Sequence, residues 1–369
     1  MTNMDIQWNI ADNYLIGKTH NVSLENEKIA AFDMDDTLIQ TKSGKEFAEN
    51  DTDWKLYDDS VSNKLTQLHT DGYKLVIVSN QMGITKGKVT IETLKKKLQN
   101  IINTIKLDFV ILCAFKDDGY RKPRTKLWNI INGDQKTSFF CGDAGGLIKR
   151  KIDDVVIDKD FSDTDLKFAK NIGIRFIHRD EFIYNVKYDD DKYKINYPVK
   201  FASLNKNTYV FSPKQQEMII NVGLPGSGKS YYTLHNVVPC GYVYINQDTL
   251  KTANKCLKAT EDALKIKKSV VIDNTNITKD HRNVYIELAK RYNVHVRCLL
   301  FTTSMEVCIH NSYFRNYANE SIKVIPKIVY NTMKKKYVKP ELSEGFIEIH
   351  KVDFKIDGKY KNEYQKYYY

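Results

Sequence analysis

The chain has no run approaching the roughly 20 apolar residues that a membrane-spanning helix needs, although hydrophobic residues make up 42% of its 369 positions. That lack excludes a spanning helix, and the sequence reads as that of a soluble globular protein. The opening stretch, Met1-Thr-Asn-Met-Asp-Ile-Gln-Trp8, lacks the basic start and apolar segment of a secretory signal, which predicts an intracellular setting, nucleus or cytoplasm. Cys113, Cys141, Cys240, Cys256, Cys298 and Cys308 never form a Cys-x-x-Cys pair, so the thiols read as reduced and mostly structural. Acidic charge is in deficit: 46 Asp and Glu against 57 Lys and Arg leave a net charge of +11. That balance suits a polyanionic partner, with a solvated lysine-rich surface as the plain alternative. The abundance of Lys, Asn, Ile and Tyr points to an A+T-rich genome, a viral one included.

What is present is an alternation of short apolar runs and amphipathic stretches, over a length that suits two domains. Ile29–Phe32, Leu75–Val78, Phe109–Leu112 and Ser138–Cys141 are strand-like, and between the second and third of them Ile91, Leu94, Leu98, Ile101, Ile102 and Ile105 recur at the spacing of one helical face. Met218–Val222, Tyr242–Ile245, Ser269–Ile272 and Val294–Phe301 repeat the alternation. The expected fold is therefore α/β, with two domains that are each a mostly parallel sheet flanked by helices. The pattern breaks between about Asn185 and Gln216, around Asp189-Asp190-Asp191, Pro198 and Pro213. This places a first domain at 1–190, a linker at 191–216 and a second domain at 217–369. The end of the chain, Lys359–Tyr369, reads as a frayed polar terminus.

Ligands of parallel sheets bind beyond the carboxyl ends of the strands, and in the first half those ends carry polar sets: Asp33-Met-Asp35-Asp36-Thr37, Ser79-Asn80-Gln81 and Gly142-Asp143-Ala-Gly-Gly146. Two carboxylates at i and i+2 can face one phosphate. One attacks phosphorus, while the other protonates the leaving oxygen and then activates water. Asp143 together with Asp33 offers hard oxygen ligands to Mg²⁺, and the Ser79 hydroxyl and Lys122 can ground the phosphoryl oxygens. The plain alternative for an isolated Asp-x-Asp is a loop or helix cap; the ordered conjunction speaks against it. This set resembles the haloacid dehalogenase superfamily of phosphatases. The resemblance implies Asp33 as nucleophile and metal ligand, Asp35 as acid and base and also a metal ligand, Thr37, Ser79, Asn80 and Lys122 around the phosphate, and Asp143 on the metal. Asp36 stands where that superfamily usually has glycine. Asp160, Asp163 and Asp165 all remain candidates for the last acidic ligand, with Asp165 preferred.

In the second half, Gly223-Leu-Pro-Gly226-Ser227-Gly228-Lys229-Ser230 fits the GxxxxGK[ST] pattern in full, directly after an apolar strand. Its backbone N–H groups can close around the phosphates of ATP, Lys229 can reach the β and γ oxygens, and Ser230 can ligate Mg²⁺. Asp248 follows the next strand as a carboxylate able to take a proton, and Asp273-Asn274-Thr275-Asn276 follows the one after. Arg315, in a helix-like stretch, is the candidate cation for the transferring phosphoryl group.

Taken in order, Lys74–Ile84, Arg121-Lys122-Pro123, Gly142-Asp143-Ala144, the P-loop and Asp273–Asn276 make the chain similar to the eukaryotic-type polynucleotide kinase 3′-phosphatases from about Ala31 to about Phe346. That resemblance implies an enzyme that removes 3′-phosphates and phosphorylates 5′-hydroxyls at DNA ends with ATP and Mg²⁺; a monomer is the expected state, although nothing in the sequence fixes it. The resemblance makes Asp248 the base for the 5′-hydroxyl and 273–276 part of the site. Binding to scaffold proteins through a forkhead-associated domain is not expected, and Tyr313 stands where relatives often have a second arginine. RNA ends stay open as substrates. Two further readings remain: a fused small-molecule phosphatase and metabolite kinase, and an end-binding module with one inactive site.

Overall fold

The computed structural model describes residues 4–20, 22, 28–152, 154–193, 209–356 and 361–369. The chain divides into two compact units, residues 1–197 with 366–369, and residues 198–365. The last four residues thus pack with the first unit, where the sequence reading had given 217–369 to the second domain. Most of the expected linker, 194–208 with Pro198, lies outside the described residues.

In the first unit the central strand Ile29–Phe32 lies between Lys74–Asn80 and Phe139–Gly142 in a seven-stranded sheet. Beyond these lie Phe109–Ala114 on one side and Arg175–His178 on the other, and these five strands are mutually parallel. An antiparallel hairpin, Ile6–Ile10 and Tyr14–Thr19, completes one edge. Nothing in the sequence pattern had marked it. The central strands are apolar on both faces, as strands covered on both sides must be. Ala30, Phe32, Leu75 and Ile77 face one cluster with Leu94, Leu98 and Ile101 of the helix Ile91–Ile105, while Ile29, Ala31, Val76 and Val78 face a second cluster with Leu127, Phe168 and Ile172. Thr90 caps that helix by accepting a hydrogen bond from the Thr93 N–H at 3.1 Å.

The second unit holds a five-stranded sheet in the order Val243–Ile245, Val270–Ile272, Glu217–Val222, His295–Phe301, Glu348–Val352, parallel throughout. Here too alternate residues of the central strands supply two clusters, Met218, Ile220 and Val222 to one and Ile219 to the other. No helix among the described residues is long and apolar enough to cross a membrane.

One buried ion pair fixes a loop at the sheet edge. Arg282 is fully buried and meets Glu344 through two N–H groups, each at 2.7 Å. Its remaining terminal nitrogen donates to the carbonyls of Asn276 at 3.1 Å and Val338 at 3.0 Å. Asn276 has a φ of 45°, in the left-handed region, so its loop needs such support. Removing one partner of a buried pair strands the other charge. Arg282→Met is expected to destabilise the second unit by about 3–5 kcal/mol, read from urea unfolding followed by fluorescence.

Candidate active sites

In the first unit the polar residues beyond the strand ends converge. Asp33, Asp143 and Asp165 each offer a carboxylate oxygen, and these oxygens all lie within 4.8 Å of one another. Asp165 therefore completes the acidic set. Asp160 is spent on structure, accepting from the N–H groups of Gly145 and Leu147 and from Arg150, and Asp163 pairs with Lys167 at 3.0 Å. The tight approach of Asp165 explains Gly142, where an added Cβ would stand 2.1 Å from the Asp165 carboxylate.

Lys122 enters this set from a loop. Its ammonium is 2.6 Å from Asp33 and 2.8 Å from Asp165, with the side chain almost fully buried. Burial alone would lower its pKa, but Asp165 and Asp33 outweigh that and push it up to about 12. Burial pushes the Asp33 carboxyl well up against the pull of Lys122, and burial with the neighbouring Asp165 raises Asp143 to about 7. Three acids that resist sharing a recess without more positive charge are a donor set fitting a hard divalent cation such as Mg²⁺. Asp33, Asp143 and Asp165 would hold it, and when bound it would offset the charge between phosphate and carboxylates.

Asp35 departs from the expected set, because its side chain is not among the clustered ligands. One carboxylate oxygen takes the Lys97 ammonium at 2.8 Å and the other accepts from Gln81 Nε2 at 2.7 Å. Gln81 Nε2 also donates to Ser79 Oγ at 2.8 Å. Asn80, expected on the phosphate, instead clamps the Lys122 backbone, its Oδ1 accepting the Lys122 N–H at 3.0 Å and its Nδ2 donating to the Lys122 carbonyl at 3.2 Å. Thr37 is fully buried and donates to Asp143 at 3.3 Å. Asp36 takes a φ of 55°, the conformation for which glycine is the easy choice. Its carbonyl accepts from Arg179 at 2.8 Å, and its side chain is exposed.

Sequence reasoning had overlooked Lys97 and Arg179, and had named Gln81 in the polar set 79–81 without giving it a role. Lys97 carried a signal: it sits three residues after Leu94 and one before Leu98, beside the apolar stripe of its helix. A lysine that is 8% exposed there requires an anion. Lys97→Met is expected to lower turnover of a phosphomonoester at this site roughly 10–100-fold, with Lys97→Arg retaining most of the rate, both read as initial rates of phosphate release.

In the second unit the P-loop Gly223–Ser230 leaves the strand Glu217–Val222 and runs into the short helix Lys229–Tyr232. Gly226 has a φ of 77°, and a Cβ there would meet the Cys308 carbonyl at 2.5 Å. Lys229 is buried and folds back on its own loop, donating to the carbonyls of Gly223 at 3.0 Å and Leu224 at 2.8 Å and to Ser227 Oγ at 3.4 Å. Burial draws its pKa down to about 8, against the pull of Asp273 and, more weakly, Asp248. A cavity of about 850 Å³ opens over the loop, lined by Gly226–Tyr231, Phe314, Arg315 and Phe354. Ser227, Gly228 and Ser230 are among its lining residues, and Ser230 is exposed.

The helix Met305–Ala318 brings Arg315 to the cavity and, four residues earlier, Asn311 to the loop itself, where its Nδ2 donates to the Gly226 carbonyl at 2.7 Å. Tyr364 donates its hydroxyl to Asn311. Neither residue had stood out in the sequence. Asp273 is buried, with Asn221 Nδ2 at 3.0 Å and the Tyr244 hydroxyl at 2.7 Å on its two oxygens. Asn274 accepts from the Gln247 N–H at 2.9 Å, which ties this box to the helix Gln247–Leu250 that presents Asp248, exposed. Asn276 donates to the Asn221 carbonyl at 2.8 Å. Asn274 and Asn276 thus brace the loops around Asp248 and Asp273.

Residues 28–183 match the polynucleotide kinase 3 phosphatase family model, and residues 218–340 match an AAA domain model. A bifunctional polynucleotide phosphatase/kinase of Schizosaccharomyces pombe is 36% identical over 374 residues, covering 99% of this chain and 89% of the relative. A putative bifunctional polynucleotide phosphatase/kinase of Acanthamoeba polyphaga mimivirus is 36% identical over 406 residues, covering 98% and 95%. The polynucleotide 3′-phosphatase ZDP of Arabidopsis thaliana is 32% identical over 180 residues, covering 43% of this chain and 24% of that protein. With one half carrying the carboxylate set around Lys122, the other an intact P-loop, and relatives of this similarity along its length, the chain belongs to the family of bifunctional polynucleotide phosphatase/kinases.

Proposed function

We propose that the protein heals DNA ends, removing 3′-phosphates through an aspartyl-phosphate and phosphorylating 5′-hydroxyls with ATP, in strand-break repair. The observation that carries this reading is the pairing of two chemistries in one chain: Asp33, Asp143 and Asp165 clustered beside Lys122, and a P-loop backed by Asp273. A break with a 3′-phosphate and a 5′-hydroxyl needs both before it can be sealed.

In the first unit, an Asp33 oxygen attacks phosphorus and the bond to the sugar 3′-oxygen breaks. Asp35 supplies the proton that oxygen needs. Asp35 then takes a proton from water, whose oxygen attacks the aspartyl-phosphate and releases inorganic phosphate, restoring Asp33. Ser79 and Lys122 bind the phosphoryl oxygens. Lys122 also keeps positive charge beside Asp33, which favours its ionised, nucleophilic form.

In the second unit, Asp248 takes the proton of the 5′-hydroxyl as that oxygen attacks the γ-phosphorus of ATP, and ADP leaves. Lys229 and Arg315 stabilise the charge on the transferring group. Mg²⁺ serves both units, held in the second by Ser230. The net charge of +11 suits a DNA strand as substrate, RNA ends being the other polyanion of this class. The protein acts as a monomer in the nucleus or cytoplasm.

The test is a nicked duplex bearing 3′-phosphate and 5′-hydroxyl ends, incubated with Mg²⁺ and ATP and resolved by strand. Both ends convert if the reading holds. Asp33→Asn is expected to lower 3′-phosphate removal by roughly 10³-fold or more while sparing the kinase, and Lys229→Ala to do the reverse. Conversion of neither end by folded protein would overturn the assignment.

A further inference from the structure

Residues 361–369 were expected to be a frayed polar end. Instead Lys361–Lys366 form a helix and Tyr367 is buried. The last residues pack within the first unit, against the helix Thr164–Ile172 that carries Asp165.

The contacts are specific to backbone as well as side chain. The Tyr368 N–H donates to Asn171 Oδ1 at 2.6 Å, and Asn171 Nδ2 donates back to the Tyr368 carbonyl at 2.6 Å. Lys167 donates to a Tyr369 oxygen at 2.6 Å. Asn171 Nδ2 also donates to the carbonyl of Pro123 at 2.9 Å. Arg124, itself buried, holds Asp117 at 2.8 Å and the Asp118 carbonyl at 2.8 Å, and the Tyr367 hydroxyl is a further hydrogen-bond partner. Pro123 and Arg124 are the two residues that directly follow Lys122. The loop is therefore anchored at the lysine by Asn80 and just beyond it by Asn171 and residues 367–368.

This arrangement joins two elements that must stay in register. Lys122 meets Asp165 at 2.8 Å, yet the lysine rides on a loop and the aspartate on a helix more than forty positions later. Asn171 is the bridge between that loop and that helix, and the Tyr368 backbone fixes the orientation of its amide. A misplacement of about 1 Å at a reacting centre can cost on the order of 100-fold in rate, so the bridge bears on turnover although it touches no substrate.

We propose that Tyr367–Tyr369, acting through Asn171 and Arg124, are positioning residues of the phosphatase site that hold the Lys122 loop against the Asp165 helix. The proposal rests on the phosphatase reading of that site.

The experiment compares the intact chain with a chain ended after Lys366, measuring 3′-phosphate removal and 5′-hydroxyl phosphorylation in the same preparation, together with thermal unfolding. The shortened chain is expected to lose roughly 10–100-fold in phosphatase kcat, with KM changed far less and the kinase rate unaltered. Asn171→Leu, which keeps the chain length, reproduces the loss, and Tyr368→Phe, which keeps the backbone bonds, retains full turnover. Unchanged phosphatase kcat in both the shortened chain and Asn171→Leu would overturn the proposal. So would a parallel loss of both activities with a lowered unfolding temperature, which marks a general structural role. Absence of phosphatase activity in the intact chain would overturn the activity reading itself and the proposal with it.

Discussion

Three carboxylates and one ammonium confined to a poorly hydrated recess set the terms for the first unit. Asp33, Asp143 and Asp165 crowd together, burial penalises Asp33 and Asp143 as anions, and Lys122 is the cation that lies between Asp33 and Asp165. Such a set persists only if the backbone holds it, because side chains left to relax would separate. Strand ends supply Asp33 and Asp143, a helix supplies Asp165, and a loop clamped by Asn80 supplies Lys122. The glycine at 142 exists because no Cβ fits beside Asp165. Phosphate, itself anionic, is accepted there only with added positive charge, which is why a divalent cation and Lys122 belong to the same argument.

The second unit resolves the opposite problem. At its P-loop the buried charge is that of a single lysine, Lys229, which satisfies its donors on carbonyls of its own loop. Asn311 and Tyr364 hold that loop from outside, and the buried Arg282–Glu344 pair holds the neighbouring 273–276 box through the Asn276 carbonyl. Charge is thus placed by neutral amides and one compensated ion pair, not by packing alone.

Much of this was legible in the sequence because strand, turn and helix signals are local. The eight apolar runs fall on strands of the two sheets, and Asp33, Asp143, the P-loop, Asp248 and Asp273 follow closely on their ends, while Lys122 comes from a loop. What escaped is what depends on long-range contact. The partner of Asp35 is Lys97, 62 positions away, and Asn80 faces the Lys122 backbone 42 positions away. The edge hairpin Ile6–Thr19 escaped for another reason: its half-exposed strands lack the continuous apolar character of the buried ones. The terminal tyrosines were read as polar fray because composition alone does not show that Asn171 waits for the Tyr368 backbone.

Asp33, within that crowded set, is the proposed nucleophile. The most direct measurement is an acid quench of the reaction with a 3′-phosphorylated strand during the first turnover, followed by mass spectrometry of the peptide containing Asp33. A phosphoryl adduct on Asp33 that forms and decays in step with phosphate release is the predicted result. Phosphate release with no adduct on Asp33, or with the adduct on another residue, would contradict it.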